Sequence, residues 1–242
     1  MKVSLFIPCM VDTLVPEVGD AVVRTLRRVG LDLEYPEAQT CCGQPAFNAG
    51  YWEDARRVAR QFLRAFAEAE VIVAPSGSCV SMVRNHYLQL FAEHPEELAR
   101  AREIGSRVFE LSEFLVRKLG VTDLGASFDG KLTYHDSCHL NRELGVSKEP
   151  RALIRAVKGA ELIEMPDPDR CCGFGGAFSV KFPEISAAMA RCKADNIQAS
   201  GAKAVIISDP GCLIQVRGYF HRHGINVQAL HIAELLAGQD SA

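Results

Sequence analysis

The chain has 242 residues, enough for one large domain or two ordinary ones. Hydrophobic residues make up 48% and charged residues 24%, which is ordinary for a globular protein and excludes a disordered tail or a wholly membrane-embedded chain. Its 27 basic residues are scattered among 30 acidic ones for a formal charge of −3, so there is no basic block to neutralise phosphates and nucleic acid is not an expected partner.

In chain order, residues 3–7 read as a strand, 17–29 as a helix, 32–35 as a strand, 52–69 as an amphipathic helix and 71–74 as a buried strand, with a helix after Ser78. The same order recurs later: strand 132–135, helix 150–157, strand 160–164, helix 185–199, strand 204–208 and a helix over 212–221. Alternation of this kind predicts an α/β protein with parallel sheets. The repetition predicts two similar parallel-sheet α/β domains, products of an internal duplication, related by a pseudo-twofold axis. The expected ranges are 1–122 and 123–242, since the glycine-bearing stretch 120–130 shows neither helical nor alternating pattern and reads as a linker. Both halves end alike, Leu111-Ser112-Glu113-Phe114-Leu115 matching Ile232-Ala233-Glu234-Leu235-Leu236, once the charged stretch 94–105 is taken as an insertion forming a solvated helix. The N-terminal run stops at Pro8 without the pattern of a signal peptide, and no apolar run approaches the ~20 residues of a membrane helix. A cytoplasmic protein with no membrane span is expected.

Nine cysteines are many for such a chain, and in a reducing compartment they point to metal or redox chemistry rather than to a disulfide framework. Eight form two matching sets: Cys9, Cys41, Cys42 and Cys79, spaced C-x31-CCG-x35-C, and Cys138, Cys171, Cys172 and Cys212, spaced C-x32-CCG-x38-C. Corresponding cysteines are offset by 129, 130 and 133 residues, a duplication signature. Each follows a predicted strand, and strand ends of one polarity share one sheet edge, so the thiols should converge. Adjacent residues on a regular strand point to opposite faces. Cys41 and Cys42 can therefore serve one site only if the chain turns there, which Gly43 permits; Gly173, Gly175 and Gly176 do the same beside Cys171 and Cys172, with backbone N–H groups free to bond sulfur. Converging thiolates suit soft metals, zinc or an iron–sulfur cluster. One site per half, or two edges facing one another across an interface, both fit the spacing; the repeat favours the first.

This double arrangement resembles the CCG-domain (cysteine-rich) family of iron–sulfur oxidoreductase components over essentially the whole chain. The family includes the B subunit of heterodisulfide reductase and the iron–sulfur subunit of glycolate oxidase, and the chain is most similar to its small stand-alone lactate-utilization members. The resemblance implies an oxidoreductase component, active with partners, that helps oxidise L-lactate to pyruvate and carries electrons through cysteine-held [4Fe-4S] clusters, ordinary or noncubane. It assigns Cys9, Cys41, Cys42 and Cys79 as one ligand set and Cys138, Cys171, Cys172 and Cys212 as the other. The family motif often ends C-x-x-C, whereas Met82 and Gln215 occupy that last position here, which puts a five-thiolate cluster in doubt and leaves zinc open in one or both sites. The sequence has no C-x2-C-x2-C-x3-CP run, so the resemblance implies relay clusters on a ferredoxin-like partner, with a further lactate-utilization protein. No dinucleotide fingerprint is present either. Heterodisulfide-type thiol/disulfide chemistry and a zinc-bound, non-redox scaffold are the alternatives.

For the eight cysteines the plainer alternatives are buried apolar thiols or vicinal disulfides, neither of which accounts for repetition in register. Cys192, opposite Phe62 in the repeat, is expected to be core packing, as is Met82. His135 and His139 flank Cys138 and offer a ligand or a proton near the second site. A place at the surface or beside the ligands suits them better, since Ile7 or Pro8 and Met10 occupy the neighbouring first-half positions. Asp136 and Asp209 read as loop caps rather than partners of a histidine.

Overall fold

A computed structural model describes residues 1–238. The first half runs β1 (Lys2–Leu5), α1 (Cys9–Leu14), α2 (Pro16–Arg28), β2 (Asp32–Glu34), α3 (Gln44–Asn48), α4 (Trp52–Ala65), β3 (Ile72–Ala74) and α5 (Gly77–Ser81). A π-helical turn (Met82–His86) carries α5 into α6 (Tyr87–Leu90), followed by α7 (Pro95–Gly105), β4 (Val108–Glu110) and α8 (Leu111–Glu113), which ends in a second π turn (Phe114–Lys118). The second half runs β5 (Ser127–His135), a third π turn (His139–Glu143), α9 (Lys148–Arg155), β6 (Lys158–Leu162), α10 (Ala177–Lys181), α11 (Pro183–Ala199), β7 (Ala204–Ile207), α12 (Pro210–His223), β8 (Gln228–His231) and α13 (Ile232–Ala237).

The strands form two four-stranded sheets, ordered β2-β1-β3-β4 and β6-β5-β7-β8, with every pairing parallel. Identical order in both is the architectural form of the duplication. β3 and β7 are buried along their whole length, as strands covered by helices on both faces must be, which is why they read as continuous apolar runs. The edge strands β4 and β8 escaped the sequence reading. Val-Phe-Glu and Gln-Ala-Leu-His are too short and too polar to stand out, and only pairing with β3 and β7 defines them. The expected linker is corrected at its end: residues 127–130 belong to β5, where a register irregularity between Ser127 and Gly130 hides the alternation.

The halves share one core. Leu5, Val73, Leu111 and Phe114 pack in the same cluster as Leu132, Tyr134, Leu153, Ile206 and Leu236. α2 packs on α13, and α9 packs on α8 with its π turn, so the same kind of contact is made twice about the pseudo-twofold axis. Arg28 reinforces the first of these, its guanidinium donating to the carbonyls of Leu236 (2.9 Å) and Ala237 (2.7 Å) at the end of α13. α7 is the expected insertion, docked through Ala101 and Ile104 and an Arg60–Glu97 ion pair; α12 leads straight to β8 without such a helix. Among the described residues no helix is long and apolar enough to cross a membrane.

Candidate metal centre

All eight repeat cysteines follow the C-terminal ends of parallel strands. Cys9 opens α1 after β1, and Cys138 leads into the π turn after β5. Cys41-Cys42 and Cys171-Cys172 lie on the loops after β2 and β6, while Cys79 and Cys212 ride on α5 and α12 after β3 and β7. The two helices are capped to hold those thiols: Ser76 Oγ accepts the Cys79 N–H at 3.3 Å, and Asp209 Oδ1 accepts the Gly211 N–H at 3.1 Å.

The vicinal cysteines turn as their glycines allow. Gly43 and Gly173 take φ of +86° and +87°, and each donates its N–H to the first sulfur of its pair, Cys41 or Cys171, at 3.4 Å. A Cβ on Gly173 would lie 2.7 Å from the Ser186 carbonyl oxygen, so only glycine fits there. Within the first set Sγ–Sγ separations are 3.5 Å for Cys9–Cys41 and 3.4 Å for Cys42–Cys79; in the second, Cys172–Cys212 is 3.1 Å. These are contacts between free thiols, far longer than the ~2.04 Å of a disulfide. All nine cysteines are unbridged, so the vicinal-disulfide alternative is not what the structure contains.

Both sets open onto one cavity of about 330 Å³ at the meeting of the two halves, lined by all eight cysteines. The structure thus combines what the spacing had left as alternatives: thiols gathered by half, and sheet edges facing one another. Charge is arranged alike in the two sets. Cys41 is pulled well below the ordinary thiol range by hydrogen bonds from Cys42 and Cys9, and Cys171 by those from Cys138 and Cys172, each helped by its glycine N–H. The donors Cys9, Cys42, Cys138 and Cys172 are pushed up by the same bonds and by burial. Each set therefore holds a thiolate ringed by thiol donors, a group whose protons a soft cation displaces.

The histidines separate. His139 is part-exposed, lines the cavity, and lies 3.5 Å from Cys138 Sγ through Nδ1 and 3.4 Å from the Gln44 amide nitrogen through Nε2. His135 is 1% exposed, which corrects the surface alternative. Its ring stands behind the cavity wall, with a nitrogen and the sulfurs of Cys172 and Cys212 all within 4.8 Å of one another. Burial, then the nearby Lys193 ammonium, lowers its pKa to about 3, so the imidazole is neutral; the Pro168 carbonyl beside it works the other way. Neither ring nitrogen makes a hydrogen bond of normal geometry, and that carbonyl accepts from the Asp136 N–H (3.0 Å) and Lys193 Nζ (3.1 Å).

Met82 is fully buried in the first-half core, as expected, and Gln215 donates to Ser186 Oγ at 3.0 Å. The expectation for Cys192 is corrected: it is only partly buried and lies outside the core clusters, whereas its neighbour Lys193 is wholly enclosed. Asp136 is clamped by both Arg151 terminal nitrogens (2.9 and 2.8 Å), and Asp209 is the expected cap. Sequence reasoning missed Tyr87, whose hydroxyl donates to the Cys42 carbonyl at 2.9 Å, and Lys193, which ties down the carbonyls of Asp167 and Pro168. A lysine at an apolar position of a helical pattern was the available signal for the second.

The family model described as "CCG: Cysteine-rich domain" matches twice, over residues 3–84 and 132–217. Proteins called "Lactate utilization protein A" align over nearly the full chain: that of Geobacillus kaustophilus is 46% identical over 98% of this chain and 98% of its own, and that of Bacillus velezensis 46% over 98% and 99%. The Oceanobacillus iheyensis protein is 44% identical over 98% of this chain and 96% of its own. Among solved structures, glutamate racemase RacE1 of Bacillus anthracis aligns over 98% of this chain and 78% of its own at 12% identity and a TM-score of 0.41, too distant to bear on the cysteines. With two matched repeats that together span most of its length, the chain belongs to the CCG cysteine-rich domain family.

Proposed function

We propose that this protein is an iron–sulfur redox component of a multi-protein system for lactate utilization, acting in the oxidation of L-lactate to pyruvate. The observation that carries this is the convergence of eight free cysteines, in two repeat-related sets, on one interfacial cavity. The full-length likeness to proteins named for lactate utilization supplies the pathway.

The residues fit thiolate-bound metal. Cys9, Cys41, Cys42 and Cys79 would hold one centre and Cys138, Cys171, Cys172 and Cys212 the other, with Gly43 and Gly173 directing backbone N–H groups at sulfur. A [4Fe-4S] cluster, ordinary or noncubane, supplies one-electron chemistry when bound. The chain's own part is to gather the thiols, keep Cys41 and Cys171 ionised, and bring the two sets to one cavity. The sequence holds no ferredoxin-type cysteine run, so onward transfer falls to a ferredoxin-like iron–sulfur partner, with a further lactate-utilization protein completing the system in the cytoplasm.

Anaerobically purified protein tests the reading through its iron, acid-labile sulfide and zinc content, with electron paramagnetic resonance before and after reduction. Iron with sulfide and a reducible signal is expected. Stoichiometric zinc without sulfide, persisting after anaerobic reconstitution, would replace it with the non-redox scaffold.

A further inference from the structure

We infer that His135 supplies a ring nitrogen to the metal centre of the second set, making that centre a mixed histidine–cysteine site while the first remains thiolate only. This rests on the metal-centre reading above and adds an asymmetry that the paired cysteine motifs conceal.

The sheet register defines the asymmetry. In the second half Tyr134 pairs with Ile206 and His135 follows it; in the first, Leu5 pairs with Val73 and Phe6 follows. The 129-residue offset between Cys9 and Cys138 gives the same correspondence, so Phe6 is the counterpart of His135, rather than Ile7 or Pro8. Phe6 is fully buried, set edge-on against Phe62 (4.9 Å between centroids) and Phe66 (5.7 Å). At this buried position behind the cavity one half carries a phenyl ring and the other an imidazole.

An apolar wall would have served a purely structural role equally well. Burying an imidazole with neither nitrogen bonded is costly, and one of those nitrogens lies within 4.8 Å of the sulfurs of Cys172 and Cys212. The neighbouring carbonyls are already occupied by Lys193 and the Asp136 N–H, which leaves the ring free to face the sulfurs. Imidazole and thiolate together form a familiar donor set for zinc and for iron. In iron–sulfur centres, replacing thiolate by imidazole raises the reduction potential. Two centres on one chain would then differ in donor set, and with it in reduction potential.

The test uses the full chain labelled with ¹⁵N-histidine and loaded anaerobically. If iron is bound, pulsed electron paramagnetic resonance of the reduced protein is expected to show a nitrogen coupling of directly bonded size that follows the isotope. If zinc is bound, K-edge X-ray absorption is expected to show imidazole scattering. His135→Phe, which copies the first half, should abolish the nitrogen signature and weaken metal retention in the second set at least about tenfold while the first set stays loaded. His139→Gln should leave the signature intact. Metal in both sets with no bonded histidine nitrogen, or a signature lost with His139 and kept with His135→Phe, overturns the proposal alone. Failure of the unaltered protein to hold any metal after reconstitution overturns the metal reading beneath it. Should His135→Phe not fold, the labelled His139→Gln protein decides: a signature it keeps excludes His139, and one it loses overturns the proposal.

Discussion

The backbone N–H of Ser78, in the first half, donates to Oδ2 of Asp209, in the second, at 2.9 Å. The other oxygen of the same carboxylate caps α12 through the Gly211 N–H. One side chain therefore positions the helix that carries Cys212 and tethers the start of the helix that carries Cys79.

Asp209→Ala removes the cap and the tether together. Stability should fall by about 1–3 kcal/mol, the range for a lost cap and a charge-assisted hydrogen bond, and Asp209→Asn, which keeps an acceptor, should lose less. Urea midpoints of the metal-free proteins measure this, and an unchanged midpoint for Asp209→Ala would show that the tether contributes nothing.

The glycines of the two CCG turns differ in how tightly they are hemmed in. Gly173→Ala forces a Cβ to 2.7 Å from the Ser186 carbonyl oxygen and 2.9 Å from Met189 Cβ, whereas Gly43→Ala meets its nearest atom, the Ala55 carbonyl oxygen, at 3.3 Å. Both need positive φ, so each should cost roughly 1 kcal/mol or more, with Gly173→Ala the worse of the two. Thermal unfolding ranks them, and metal analysis should show the second set emptied first.

The thiol contacts Cys9–Cys41, Cys42–Cys79 and Cys172–Cys212 each join cysteines of one half. Cys41→Ser should thus empty the first set and Cys171→Ser the second, each leaving about half the metal of the unaltered protein. Iron or zinc per chain after anaerobic loading reads the result directly. Complete loss from either single variant would mean one centre shared across the interface.

Glu110 is the N-cap of α8, fully buried, its carboxyl pushed up to about 8 by burial against the pull of hydrogen bonds from Ser112 and Glu113. Below about pH 4.5 the group is protonated in folded and unfolded chains alike; between there and about 8 only the unfolded chain releases the proton, so stability declines as pH rises, and above that the decline stops. Glu110→Gln keeps a cap acceptor and removes the titration. It should flatten the stability–pH curve over that window, gaining on the order of 4 kcal/mol at most by pH 8. Urea titrations at stepped pH check it, and parallel curves for the two proteins would exclude Glu110 as the source.

Legibility followed element length and composition. α4 and α11, with long runs of helical periodicity, and β3 and β7, with unbroken apolar runs, were readable because each pattern is complete within its own segment. β4 and β8 were not, being short edge strands that exist only through their neighbours. The residues spanned by the π turns offered no signal, since one extra residue in a helical turn leaves no period to detect.

By itself the sequence determined the duplication, the eight cysteines in their two sets, and the need for a glycine turn after each vicinal pair. Those properties are written in spacing and in single-residue backbone freedom. Only the tertiary structure decided that both sets face one cavity, that Asp209 crosses to Ser78, and that His135 sits buried beside Cys172 and Cys212 where Phe6 fills the other half. Periodicity reports which side chains share a face of one element. What that face meets depends on how elements far apart in the chain pack, and here the shared core between α2, α13 and the two sheets sets that packing.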